Sequence, residues 1–248
     1  ALGVPFYDSV DAMIAAQAVD AVHVLTPPGS HAPIATQCLN AGLHVLVEKP
    51  MAQTVQEVAA MRAAAAAAQR QLAVSHNFLG LPSYDRLKRL LAQGALGKLS
   101  SLRVDWALPL SPLRSGPYGL WLLREERNLL LELGPHPFGF VVDLLGRPEI
   151  LSVALSHPIT LPGDGGTRHQ GWRILARAGS VDVTIHLSMV EVQDDRALTL
   201  RGSSGMARLD YASDTLVVAR DNTSDLIVSP LRRELSLARS EERRVGEE

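Results

Sequence analysis

Short apolar runs alternate with longer mixed stretches through the first third of the chain. Residues 19–26 form an apolar run broken by Pro27-Pro28-Gly29, the punctuation expected at a strand end. Residues 31–41 follow as a predicted helix, with Ser30 as its N-cap and Gly42 as its stop. Residues 43–48 read as a second strand. Thr54 is placed to cap a helix to about Arg70, in which the consecutive alanines 63–68 are strong helix formers. Residues 71–75 make a third strand. Strands alternating with helices of this length predict βαβ units and a parallel sheet.

Beyond residue 76 the pattern changes. A helix is predicted over 83–93, ended by Gly94, and a long strand over 98–108. A loop rich in proline and glycine follows, then an apolar helix over 128–145 interrupted around Pro135 and Pro137. Six strands are predicted at about 150–156, 171–178, 181–189, 196–201, 205–211 and 214–219, with short turns between most of them. Consecutive strands joined this way are expected to pair antiparallel. The alternation Val181-Asp182-Val183-Thr184-Ile185-His186-Leu187 predicts one buried and one wetter face. The fold class expected is therefore α/β: a partial Rossmann-type parallel sheet, then an α+β domain with an open, mainly antiparallel sheet. The domains are expected at 1–76, for dinucleotide binding, and 77–238, for substrate and oligomer contacts.

Length and charge narrow the function classes. The chain has 248 residues, 46% of them hydrophobic, and a formal charge of −2 with no long block of one sign. That argues against nucleic acid as the main partner and removes an electrostatic case for membranes. No apolar stretch reaches the roughly 20 residues needed to span a bilayer. The single Cys38 has no internal disulfide partner, and its place on a helix with Ile34 four residues earlier makes it a core residue. A reducing cytoplasm is the simplest compartment. The histidines show no metal-ligand spacing and there is no cysteine cluster, so no metal site is expected. The tail 239–248 has no apolar periodicity and resembles the translation of a common sequencing-adapter read. It is expected to be non-native, the alternative being an ordinary charged, disordered terminus.

The run His44-Val45-Leu46-Val47-Glu48-Lys49-Pro50 stands out. The chain has only three lysines, Lys49, Lys88 and Lys98, and otherwise uses arginine. A lysine ammonium is compact and able to give up a proton, which arginine is not. Lys49 ends a buried-looking strand, and ligands of open α/β sheets bind at the carboxyl ends of parallel strands. Pro50 disfavours a helical backbone at the residue before it. The plain alternative is a surface lysine paired with Glu48. His136 is a second candidate, because imidazole titrates near neutrality. Glu132 lies four residues before it, so on one helix both can face one cleft.

Three segments together resemble the Gfo/Idh/MocA oxidoreductases: Thr26-Pro27-Pro28-Gly29-Ser30-His31, Ala41-Gly42 through Pro50, and Leu133-Gly134-Pro135-His136. The resemblance covers roughly residues 1–220. It implies NAD or NADP as cofactor and hydride transfer at a carbon bearing oxygen on a sugar, cyclitol or related alcohol. It implies catalytic roles for Lys49, His136 and Glu132, although the family usually has Asp at the last position. It places Thr26, Pro27, Pro28, His31, Glu48, Lys49 and Asn77 around the cofactor. Glu48 would hold the ribose or orient Lys49. The family often has arginine where this chain has Leu79, which puts an anionic-substrate contact there in doubt. Trp121 matches a family aromatic, with core packing an equal explanation. Two other functions stay open: an NAD-dependent glycoside hydrolase of the same fold, or a non-catalytic binding or regulatory relative. The antiparallel sheet leaves a homo-oligomer open.

No Gly-x-Gly-x-x-Gly occurs in the chain, nor the acidic or basic residue that should follow it and read the ribose. The simplest account is loss of a first β-α-β unit at the amino end, on the order of 30 residues or more. This chain is therefore expected to bind dinucleotide only weakly. A titration followed by nicotinamide fluorescence checks this, and saturation in the micromolar range would refute it.

Overall fold

The computed structural model describes residues 3–163 and 165–220. The expected tail 239–248, and residues 221–238 of the expected second domain, lie outside them.

Three parallel strands form the first sheet in the order β1 (Ala21–Val24), β2 (His44–Glu48), β3 (Leu72–Ser75). Helix α1 (Val10–Ala15) precedes them, its first turn closed by the Ser9 hydroxyl on Ala12 N–H at 3.1 Å. Helices α2 (His31–Asn40) and α3 (Val55–Ala68) provide the crossovers. Val24, Val45 and Val47 bury one face of the sheet against Ala35, Cys38 and Leu39 of α2 and Met61 and Ala65 of α3. Cys38 is thus a core residue. Gly42 turns the chain after α2 at φ +84°, a conformation that costs glycine little. Thr54 caps α3 in a full capping box with Glu57, worth about 0.5–2 kcal/mol. This holds the start of α3 just beyond Lys49.

Ser30 departs from expectation. Its side chain makes no cap bond to α2. The hydroxyl lies 2.8 Å from both Thr26 Oγ1 and the Pro27 carbonyl, inside the turn Pro28–Ser30 that precedes the helix. The two prolines impose that turn, so the hydroxyl stabilises the loop instead of the helix.

The second sheet has seven strands: β4 (Leu99–Ala107), β5 (Glu149–Thr160), β6 (Thr167–Ala178), β7 (Val181–Ser188), β8 (Asp195–Gly202), β9 (Gly205–Asp210) and β10 (Thr215–Arg220). Their spatial order is β10-β9-β8-β4-β7-β6-β5. The expected hairpins β5–β6, β6–β7, β8–β9 and β9–β10 are all antiparallel. The exception is β7 and β8, consecutive in sequence and not paired. The earlier strand β4 lies between them, parallel to β7 and antiparallel to β8. The sheet is therefore mixed.

Among the described residues, helices cover one face of this sheet. α4 (Pro82–Ala92), the short α5 (Ser111–Ser115) and α6 (Trp121–Arg124), α7 (Asn128–Leu133) and α8 (Pro135–Leu145) account for the helices on this side. Leu102, Val104 and Trp106 of β4 join Val183, Ile185 and Leu187 of β7 in the core with Phe140 and Val141 of α8. The alternation predicted for 181–187 is present, with Asp182, Thr184 and His186 on the wetter face. α7 and α8 meet at Gly134, which keeps helical dihedrals (φ −57°, ψ −36°). Pro135 is the first residue of α8, where its missing N–H costs least. The interruption expected at the prolines is thus a break in hydrogen bonding along one helical path. No helix among the described residues is long and apolar enough to cross a membrane.

Candidate active site

The carboxyl ends of β1, β2 and β3 bring together three of the segments singled out in the sequence. Thr26 and Pro27 are exposed just past β1, Glu48 and Lys49 end β2, and Asn77 is exposed just past β3. The register sets Glu48 opposite Ser75, so Lys49 and His76 leave the sheet from neighbouring strand ends.

Lys49 does not pair with Glu48. Its ammonium reaches Glu132, bonding the carboxylate Oε1 and, at 3.1 Å, the Glu132 main-chain carbonyl. Side chains of consecutive strand residues point to opposite faces, so Glu48 is directed away from its neighbour. The Glu48 carboxylate instead accepts the Lys49 backbone N–H at 3.3 Å and lies 3.5 Å from His23 Nε2. The Lys49 side chain is 16% exposed and that of Glu132 31%. A partly desolvated pair of this kind is costly to break one-sidedly, because the remaining charge is left without a counterion.

His31 also differs from expectation. It was expected to line the cofactor cleft, but it is 1% exposed and both ring nitrogens are occupied. Nδ1 lies 2.8 Å from the Pro50 carbonyl and Nε2 2.6 Å from the Thr26 carbonyl. It ties the loop after β1 to the loop after β2, so its side chain shapes the cleft from beneath. Leu79, in the position where arginine was weighed, packs on the second core. Trp121 is half-buried and its carbonyl accepts Asn128 Nδ2 at 2.8 Å.

His136 sits in a cluster of rings. Trp106 stacks on it at 4.8 Å with an interplanar angle of 8°, and Phe78 meets it edge-on at 5.1 Å. The Arg196 guanidinium lies over Trp106 and Phe78, at 5.4 and 5.9 Å from the ring centroids, and is paired to Asp194. Burial first, then the charges of Lys49, His76 and Arg196, push His136 down to about 3. Burial likewise lowers His76. His136 is therefore a neutral imidazole throughout the neutral range, with a free lone pair. His76 Nδ1 and Trp106 Nε1 are the buried side-chain polar atoms without a partner among the described residues, and both belong to this neighbourhood. Unsatisfied buried polar groups are rare, so two in one neighbourhood call for an explanation.

Sequence reasoning missed His76, Trp106 and Arg196. His76 had one available signal, its position at the end of the third parallel strand beside Asn77. Trp106 and Arg196 are opposite one another in the β4–β8 register, which no local pattern reveals. Among the described residues no group of three or more His, Cys, Asp and Glu could hold a metal.

Comparison with known proteins fits this geometry. Residues 1–76 match the model of the oxidoreductase family with an NAD-binding Rossmann fold, and residues 84–208 match the GFO/IDH/MocA C-terminal domain. The chain belongs to the Gfo/Idh/MocA oxidoreductase family. It is 32% identical over 154 residues to an uncharacterized oxidoreductase of Synechocystis sp., covering 60% of this chain and 41% of that protein. It is 28% identical over 137 residues to scyllo-inositol 2-dehydrogenase (NADP(+)) of Bacillus subtilis, covering 54% and 37%. The WlbA dehydrogenase from Bordetella pertussis, solved in complex with NADH and UDP-GlcNAcA, shares the fold at a TM-score of 0.71 and 19% identity, over 88% of this chain and 64% of that one. The chain spans about half the length of the curated relatives it matches, 41% and 57% for two of them.

The depressed His136 carries a consequence for stability. An unfolded histidine titrates near 6.5 and this one near 3, so the unfolded chain binds more protons between those values. Stability contributed by neutral His136 is complete above the upper value and is lost as pH falls toward the lower one; His76 acts in the same sense. His136→Phe is expected to flatten the acid side of the stability curve by up to about one proton. Urea unfolding of both proteins across that interval checks this, and parallel curves would count against it.

Proposed function

We propose that this chain carries the catalytic centre of an NAD(P)-dependent oxidoreductase acting on a sugar, cyclitol or related alcohol or carbonyl substrate. The observation that carries the reading is the convergence of Lys49, Glu132 and His136 at the carboxyl ends of parallel strands, within a dry ring cluster that leaves two buried polar atoms unpartnered. On this reading residues 1–76 form the dinucleotide side and the second domain begins at 77.

The residues present suit the nicotinamide and ribose half of the dinucleotide. Thr26, Pro27 and Pro28 offer an exposed loop wall, Glu48 a carboxylate for ribose hydroxyls, and Asn77 an exposed amide at the next strand end. When bound, nicotinamide accepts or donates the hydride. The chain's own groups handle the oxygen and its proton. The Lys49 ammonium, held by Glu132, is the donor that polarises the reacting oxygen. Neutral His136 accepts the hydroxyl proton during oxidation and returns it during reduction. Glu132 sets the direction of Lys49, and its extra methylene relative to Asp suits the reach across to the ammonium. The ring cluster excludes water from the proton's path.

Lys49→Met and His136→Asn are each expected to lower turnover by about 10²–10⁴-fold. Steady-state rates from nicotinamide absorbance check this, and near-normal turnover in both variants would discard the site.

The helix-free face of the seven-stranded sheet, carrying Arg103, Arg201 and Arg208 among Asp105, Asp182 and Asp195, is the surface we assign to pairing with a second copy. Light scattering is expected to return a multiple of the chain mass that falls when Arg201 and Arg208 are changed to glutamate. A monomer before any substitution would refute the assignment.

A further inference from the structure

His76 has no role in the mechanism above, yet it is placed where the chemistry would act. Its backbone follows β3 directly, and its carbonyl accepts Leu79 N–H at 3.0 Å, closing the turn that swings Phe78 edge-on to His136. Its ring lies against α8 at Gly139. A Cβ built on Gly139 would come within 3.5 Å of His76 Nδ1 and 3.8 Å of Cε1. Gly139 is three residues beyond His136, so the two positions share one face of α8. The His76 ring thus contacts α8 at a position about one helical turn from His136, and Phe78, two residues after His76, meets the His136 ring. The 3.5 and 3.8 Å separations are ordinary van der Waals distances, so the ring is seated on the backbone of Gly139, and a side chain larger than alanine is needed to displace it.

The tautomer follows from the burial. Nδ1 is buried and has no partner among the described residues. A buried N–H with nothing to donate to is costlier than an unused lone pair, so the proton of neutral His76 sits on Nε2. The ring therefore keeps its lone pair on the side that lies against Gly139.

We infer that His76 is a positioning residue for His136: seated against the bare backbone of Gly139, it shares the dry ring cluster, and its charge decides whether His136 can take a proton. The inference rests on the reading of His136 as the acid–base group. The charged and titratable groups facing His136 are few. They are Lys49 with its partner Glu132, His76 after β3, and Arg196 on β8 with its partner Asp194 just before that strand. Lys49 and Arg196 are cations with fixed counterions. Of the three, His76 is the imidazole, the side chain able to gain and lose its charge, and burial lowers it from its ordinary value. While it is neutral, His136 accepts a proton from the substrate. Once His76 is protonated, a second positive charge in the same low-dielectric pocket opposes that transfer. The two imidazoles titrate as a coupled pair, His76 first.

Long-range ¹H–¹⁵N spectra of the histidine rings test this on the 248-residue chain. The neutral His76 ring is expected to show its proton on Nε2. The His136 ring nitrogens are expected to shift in two steps, the upper one at the midpoint of His76. In His76→Gln the upper step disappears, and in Gly139→Val, which crowds the ring out of its seat, it shrinks. A His136 curve with no inflection at the His76 midpoint overturns the inference, and the wild-type measurement decides this even where a variant fails to fold. The two readings fail separately. A two-step curve with full turnover in His136→Asn sustains the coupling and removes the acid–base role. A single-step curve with inactive His136→Asn removes the coupling alone.

Discussion

The ion pair between Lys49 and Glu132 is the constraint around which the site is built. It joins residues 83 positions apart, one at the end of a parallel strand and the other on the helix beneath the second sheet. Without it the carboxyl ends of the first sheet and the α7–α8 path would meet only through apolar contacts, which are tolerant of sliding. The pair fixes both distance and direction. The ammonium also takes the Glu132 carbonyl, so it is gripped by main chain as well as side chain. That grip determines where His136, one turn further on, can lie.

The rest of the neighbourhood is organised to keep this region dry and positively biased. His31 clasps the loops after β1 and β2 from below through two carbonyls. Trp106, Phe78 and Arg196 close around His136 from the second sheet and the turn after β3. Burial first, then the charges of Lys49 and Arg196 and of His76 when it is protonated, hold the imidazole neutral, the form that accepts a proton. The cost appears as two buried polar atoms left without partners. Such local violations of good packing practice concentrate where function demands them.

Much of the architecture was legible because it is local. The capping box at Thr54, the positive-φ turn at Gly42 and the alternation over 181–187 each follow from a few neighbouring residues. Where local reasoning failed, a longer-range competitor was present. Ser30 has the chemistry of an N-cap, but the prolines before it impose a tight turn that takes its hydroxyl. The strands β7 and β8 are adjacent in sequence, but the earlier strand β4 lies between them, and its Ala107 pairs with both Ser188 and Asp195.

The sequence by itself determined the element types, the family and the candidates for the reactive groups, because periodicity, turn chemistry and motif order are written in neighbouring residues. It did not determine their partners. Only the tertiary structure decided that Lys49 turns to Glu132 instead of Glu48, that His31 faces inward, and that His76, Trp106 and Arg196 surround His136. Those choices depend on strand order and on which helix face meets which sheet. Such contacts are set by burying apolar surface across the whole domain, and no local pattern encodes them.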